Sequence, residues 1–426
     1  MPRDKSQPRH DSEANERYEA FAALRYRDFR LLWLGQIVSV TGSQMQLVAI
    51  HWHVYLLTKS PFALGMVGFF RGAPLILCSL FGGVIADAVD RKRLMIITQS
   101  VMLASAGMLT IVTLADIKSA WPIYLLTGVA SAATAFDLPA RQALMPTLVP
   151  AKEFSNAVSL SMIVFNLATI VGPSLAGLVL AGFGPAVVYA VNAASFLAVI
   201  LALMAMQVNA KPDTESQLSP RFGLAALKEG LSFVWRTPII VQTMTLDFIA
   251  TFFASATALL PIFAAEILLV GAEGLGLLAA APAVGSVFTA LVMARRRTFP
   301  RQGRLVIGSV AIFGLATIGF GLSRTFWLSL LMLAITGAAD TVSTVLRQTI
   351  RQLSTPNHLR GRMTSINMIF FMGGPQLGEV EAGAVAALVG APLSVVIGGL
   401  GSTLAAFVAA AKAKSLLNYE GEKTLE

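Results

Sequence analysis

Apolar runs of membrane-spanning length recur along this chain, separated by short polar turns. They lie near 30–57, 62–86, 94–115, 121–140, 156–182, 186–208, 238–264, 274–294, 304–323, 327–347, 363–389 and 392–411. A helix needs about 20 mostly apolar residues to cross a bilayer, so the pattern predicts twelve transmembrane helices. Strands of a membrane barrel would be about 10 residues long with strict alternation, a pattern the chain lacks. The most telling turn is Ala86-Asp87-Ala88-Val89-Asp90-Arg91-Lys92-Arg93, between the second and third runs. A tight acidic-then-basic turn between apolar spans reads as a membrane hairpin with its turn in the cytoplasm. The first and fifth runs are long, so tilt or extension past the hydrocarbon is expected.

Composition agrees with lipid as the solvent. Only 13% of the 426 residues are charged and 55% are hydrophobic, against roughly a quarter charged in soluble domains. The net charge of +9 would suggest nucleic acid if the cations were clustered on one surface. Instead, 28 of the 32 Lys and Arg fall at the N-terminus, at alternate turns and at the C-terminus. Lys59, Lys118 and Arg324 fall on the other side, and Arg71 lies within a span. Cytoplasmic loops carry the excess of Lys and Arg, so both termini are expected in the cytoplasm and no nucleic-acid partner is implied. Residues 1–27 lack the apolar core of a signal peptide, so the first span is expected to serve as an uncleaved insertion signal. The single cysteine, Cys78, precludes an internal disulfide. No His/Asp/Glu spacing suggests a metal site, no Walker sequence is present, and no cofactor is expected.

The chain divides near its middle. Segment 209–235 is the longest polar stretch between spans. The expected organisation is a tail (1–27), a six-helix half (28–208), a linker (209–235), a second six-helix half (236–411) and a tail (412–426). Internal similarity supports that cut. Arg141-Gln142 precedes Pro150 and then Gly172-Pro173; Arg347-Gln348 precedes Pro356, at the same spacing, and then Gly374-Pro375. Duplicated halves with a midplane site are a transporter plan.

Three pieces carry a resemblance to the major facilitator superfamily. The turn after span 2 matches that family's loop pattern at Gly83, Asp87, Arg91 and Lys92, and departs from it at Ala88 and Asp90. The stretch FDLPARQALMPTLVP at 136–150, followed by Asn156-Ala157, is similar to the enterobactin-exporter-like (transmembrane secretion effector) branch. Thr58-Lys59-Ser60-Pro61 and Asp90 resemble that branch too. Span 5 partly matches an antiporter pattern through Ser159, Ala168, Gly172-Pro173 and Ala176-Gly177. The resemblance implies a bacterial inner-membrane protein, a monomer, with no catalytic residues. Apart from the resemblance, small residues allow close helix approach, and Pro173 can bend its helix. Gly172, Pro173, Gly177, Gly374 and Pro375 are the expected bending positions, simple close packing being the plainer reading.

Charged groups inside spans are costly and mark candidate sites. Asp247, about nine residues into span 7, is the first candidate for proton coupling, with Arg71 and Glu379 beside it; the alternative is a structural hydrogen-bonding Asp. Asp137 and Arg141, and Asp340 and Arg347, sit four and seven residues apart, spacings that share a helix face. With Gly83, Asp87, Asp90, Arg91 and Lys92 they form an expected cytoplasmic gate, in which Asp87 would latch the outward-open state; a charge cluster that only sets topology is the alternative. Glu379 and Glu381 point to different faces, so at least one should meet the cavity. His51 and His53, beside Trp52 and Tyr55, read as part of an interfacial aromatic belt rather than as titrating groups. Gln36, Gln44, Gln242 and Phe252 are expected to line the substrate cavity.

Together these features predict a secondary active transporter, coupled to the proton gradient, that exports a siderophore, drug or similar small molecule by alternating access. Metal-ion export, nutrient import and lipid flipping are alternatives on the same fold. An embedded enzyme or sensor fits poorly, since no nucleophile and base share a helical spacing and no added soluble domain is evident.

Overall fold

The computed structural model describes residues 21–208, 231–296, 299–356 and 359–420. The expected N-terminal tail up to residue 20, most of the expected linker, the surroundings of Gly83 and the side chain of Asp87 lie outside what is described. The chain is built from long helices: α1 (Arg27–Thr58), α2 (Pro61–Ala88), α3 (Arg91–Leu114), α4 (Trp121–Leu148), α5 (Phe154–Phe183), α6 (Pro185–Ala205), α7 (Pro238–Phe253), α8 (Gly271–Ala294), α9 (Gln302–Leu322), α10 (Phe326–Leu353), α11 (Arg360–Val389) and α12 (Ala391–Lys412). A short α13 (Lys414–Leu417) follows. No strand occurs among the described residues.

By length and composition, ten helical runs among the described residues can cross a membrane. Helix α1 stands outside that ten, although it runs 32 residues. It carries the buried polar side chains Gln36, Gln46, His51 and His53. The outer faces of the bundle are apolar and uncovered. Phe183, Trp327 and Leu388 are each more than 70% exposed, as expected of surface solvated by lipid.

Local chemistry sets the helix ends. Ser60 caps α2, its hydroxyl accepting from Ala63 N (3.4 Å), with Pro61 in the first turn. Asp90 caps α3, accepting from Arg93 N (3.1 Å). Helices α5 and α11 end at Gly184 and Gly390, with φ of 77° and 87° and ψ of −179° and 155°, a backbone region essentially reserved for glycine.

The seventh span departs from the continuous helix its hydropathy predicts. It stops at Phe253, then runs through a 3₁₀ turn (Ala256–Leu259) and a π turn (Phe263–Ile267). Pro261 supplies no N–H to the carbonyl one turn back, and Ser255 gives its hydroxyl to Pro375 O on α11 (2.9 Å). A broken helix of this kind commonly marks a transport site.

Packing separates the helices into two groups of six. Within the first, α1 packs on α5 and α6, and α4 on α2 and α3; within the second, α9 packs on α10 and α12, and α7 on α11 and α12. Two pairs, α2 with α11 and α5 with α8, join the groups.

Candidate functional site

Among the described residues, the closest approaches of the joining pairs lie toward one end, the end opposite the start of α1 and the finish of α12. There a single apolar cluster draws on both groups, including Ile50, Val54, Leu64 and Val67 from one and Leu259, Phe263 and Ala382 from the other. At the termini end the clusters stay within one group: Phe29, Leu144 and Leu160 in the first, Val306, Leu346 and Leu416 in the second. Among the described residues, the groups are therefore packed together at the distal end and keep separate apolar clusters at the termini end.

Glycine makes the distal closure possible. A Cβ on Gly276 of α8 would lie 2.5 Å from Pro173 O and 2.8 Å from Gly177 Cα on α5. A Cβ on Gly383 of α11 would lie 2.7 Å from Gly65 Cα on α2. Both crossings bring backbone against backbone, as small residues permit in membranes. Gly172 and Gly374 work within their own groups, receiving Gln44 and Thr41 of α1, and Thr251 and Phe248 of α7, respectively. Tyr55 of α1 adds a polar link, its hydroxyl donating to Glu266 Oε1 in the π turn (2.7 Å).

Buried charges fall into three sets. In the first group Asp137, 2% exposed, accepts from Thr98 Oγ1 (2.9 Å), Gln99 Nε2 (3.0 Å) and Arg141 Nη2. Helix α4 continues through Pro139, so the four-residue spacing does bring this pair together. In the second group Arg347, 1% exposed, pairs with Asp247 (2.6 Å) and more distantly with Asp340 (3.8 Å). Arg351 approaches the other Asp247 carboxylate oxygen (3.8 Å); Ser343 Oγ accepts from Arg347 Nη1 (2.7 Å) and Thr344 Oγ1 from Nη2 (3.0 Å). The third set spans the groups: Glu379 of α11 lies 3.6 Å from Arg71 of α2 and 3.8 Å from His51 of α1.

The basic turn is used within the first group. Arg91 donates to Ala143 O (3.2 Å) and Lys92 to Met206 O (2.6 Å), the residue that ends α6. A cation at that position complements the helix dipole.

Two cavities open beside these charges. One, about 350 Å³, lies between α5, the break after α7, and α8 to α10, and is lined by Asn166, Thr257, Ser286, Thr336 and Asp340 among apolar groups. The other, about 210 Å³, lies inside the first group and is lined by Gln44, Gln46, Arg71, Asn192 and Gln376 of α11. Of the expected cavity residues only Gln44 lines either one. Gln242 instead accepts from Leu416 N of α13 (3.0 Å). Phe252 stacks with Phe248, their centroids 5.9 Å apart, and Gln36 is buried within the bundle.

The histidines correct the expected interfacial belt. His51 and His53 are each 7% exposed; His51 faces Glu379, and His53 meets the Tyr189 hydroxyl (3.3 Å). The signal was present as spacing. Gln44, His51 and Tyr55 stand seven and four residues apart, one polar stripe on α1. Gln376, two residues after Gly374, carried no such signal.

The family described as transmembrane secretion effector matches residues 18–422. The chain is 25% identical over 373 residues to the enterobactin exporter EntS of Citrobacter koseri, and 26% identical over the same length to that of Shigella boydii serotype 18. Each match covers 88% of this chain and 88% of the relative. Among solved structures, a POT family transporter in complex with 5-aminolevulinic acid superimposes with a TM-score of 0.73 at 11% identity, covering 92% of this chain and 96% of that one. At that identity the likeness shows the fold, a multi-pass transporter fold.

Proposed function

The chain belongs to the transmembrane secretion effector family of the major facilitator superfamily, and from that premise we propose that it is a proton-coupled exporter of a siderophore-class small molecule. One observation carries the reading. Among the described residues, two six-helix groups enclose cavities, share an apolar cluster at one end and keep separate clusters at the other. That is one of the two end states which alternating access requires. With the termini in the cytoplasm, as the cation distribution indicates, the parted end is cytoplasmic and this state faces inward.

Opening outward would part the two glycine crossings, the Tyr55–Glu266 hydrogen bond and the Glu379 contacts. The basic turn and Asp87 would then close the cytoplasmic end, with Asp137–Arg141 and Asp340–Arg347 behind them. The large cavity offers hydroxyls, one amide and one carboxylate among apolar walls, which suits a partly apolar solute rather than a bare ion. The relatives' name points to siderophores within that class.

The test uses everted membrane vesicles holding the full chain, offered enterobactin or a lipophilic dye. The reading expects accumulation of the siderophore that a protonophore abolishes. Equal accumulation in vesicles lacking the protein would refute it; preference for the dye would move the substrate to drugs.

A further inference from the structure

We infer that His51 and Glu379 bind a single proton between them across the distal interface, and that this proton holds the distal gate shut. The inference deepens the transporter reading and rests on it for direction.

The atoms argue for the proton. His51 Nδ1 lies 2.9 Å from Leu47 O. A carbonyl only accepts, so Nδ1 carries the hydrogen. In neutral His51 the other nitrogen, Nε2, then holds only a lone pair. That lone pair faces Glu379 Oε2 at 3.8 Å, and neither atom has a hydrogen-bond partner among the described residues. Two acceptors facing one another in a buried site leave both unsatisfied, a costly arrangement. One added proton converts it into an imidazolium–carboxylate pair. Arg71, 26% exposed, stands on the other carboxylate oxygen. It also lines the smaller cavity with Gln376, so the site adjoins that cavity.

Other charged groups nearby are already engaged. Glu266 accepts from Tyr55, His53 meets Tyr189 on α6, and Asp137 and Asp247 hold their own arginines within α3–α4 and α7–α10. Glu381 lies two residues along α11, on another face. Room for Glu379 comes from Gly68 of α2, where a Cβ would meet the Glu379 side chain at 2.6–2.7 Å.

Position supplies the coupling. Glu379 belongs to one group and both its partners to the other, so outward opening separates them. Asp247 and Arg347 share a group, so the same motion leaves them paired. A proton taken up from the distal side would favour closure there and the return to the inward-facing state. Its release to the cavity would leave acceptor facing acceptor and favour outward opening with solute. One proton in for each solute out is antiport.

The experiment places spin labels at Lys118→Cys and Arg324→Cys, on the distal turns of the two groups, in full-length Cys78→Ser protein in lipid nanodiscs. The ratio of open to closed distal distances is read from about pH 5 to 8, the range in which histidine changes charge. One linked proton shifts that ratio by up to about tenfold per pH unit, with closure favoured at low pH. His51→Gln and, separately, Glu379→Gln should flatten the response, while Tyr55→Phe should weaken closure and keep the pH dependence. A wild-type response retained in both Gln variants overturns the inference, as does a wild-type gate indifferent to pH. Solute flux is measured on the same protein in vesicles. A pH-responsive gate without flux would overturn the export reading and leave the proton site standing.

Discussion

Replacing Gly276 by alanine should push the transporter out of the state described here. The added Cβ would sit 2.5 Å from Pro173 O, 2.8 Å from Gly177 Cα and 2.9 Å from Gly177 N. All three are backbone atoms, so no side chain can rotate out of the way. Ordinary carbon contacts are about 3.5–4.0 Å, so α5 and α8 must part by about 1 Å. Overpacking of this kind costs about 1–3 kcal/mol. The cost falls only on the state in which these helices touch, so it becomes a population shift. At about 1.4 kcal/mol per tenfold, the ratio of distally open to closed molecules should rise about 5- to 140-fold. The assay is the distance distribution between labels at positions 118 and 324. Gly107→Ala is the control, because nothing lies within 4 Å of a Cβ there. A Gly276→Ala distribution indistinguishable from that of Gly107→Ala would refute the reasoning.

Three further outcomes are expected. Arg347→Met leaves Asp247 buried with only the more distant Arg351, which should destabilise the fold by about 3–5 kcal/mol; thermal unfolding in detergent measures this, and adding Asp247→Asn should restore much of it. Asp137→Ala removes the acceptor of Gln99 Nε2 and the carboxylate partner of Arg141, while Thr98 keeps Met95 O, at a cost of about 1–3 kcal/mol, visible in the same assay. Gln242→Ala removes the acceptor of Leu416 N and should speed amide exchange in α13 while leaving α7 protected.

Much of the fold was legible because membrane helices satisfy their backbone internally and must be long and apolar. The long apolar runs follow from that constraint. Asp137 and Arg141 were legible as a pair because four residues fix a shared face whatever the tertiary structure. Other features lie beyond local pattern. Asp247 and Arg347 are 100 residues apart and meet only because α7 packs near α10. Gln242 looked like a cavity amide but turns to cap α13, a contact made by chain beyond the last span. The interruption after Phe253 was hidden because hydropathy averages over a window and does not register which carbonyls lose their donors. Pro261 was the clue.

The internal repeat sharpens the assignment of the proton site. At the 202-residue offset that relates Gly172-Pro173 to Gly374-Pro375, Glu379 of α11 corresponds to Gly177 of α5. Gly177 is bare so that α5 can lie against α8, its nearest neighbours there being backbone atoms of Ala272, Glu273 and Gly276. At the matching place on α11 a carboxylate stands instead, and α2 makes room with Gly68. The symmetric parts of the bundle, the two glycine crossings, would allow the groups to rock either way with equal ease. A direction requires some group whose energy differs between the two states and depends on an external gradient. Among the described residues, the three ion-pair sets divide on this point. Two lie within a group and are carried along unchanged, while the third, Arg71–Glu379–His51, crosses between groups. It sits where the repeat is broken, which is where coupling has to sit if the symmetric framework supplies only the motion.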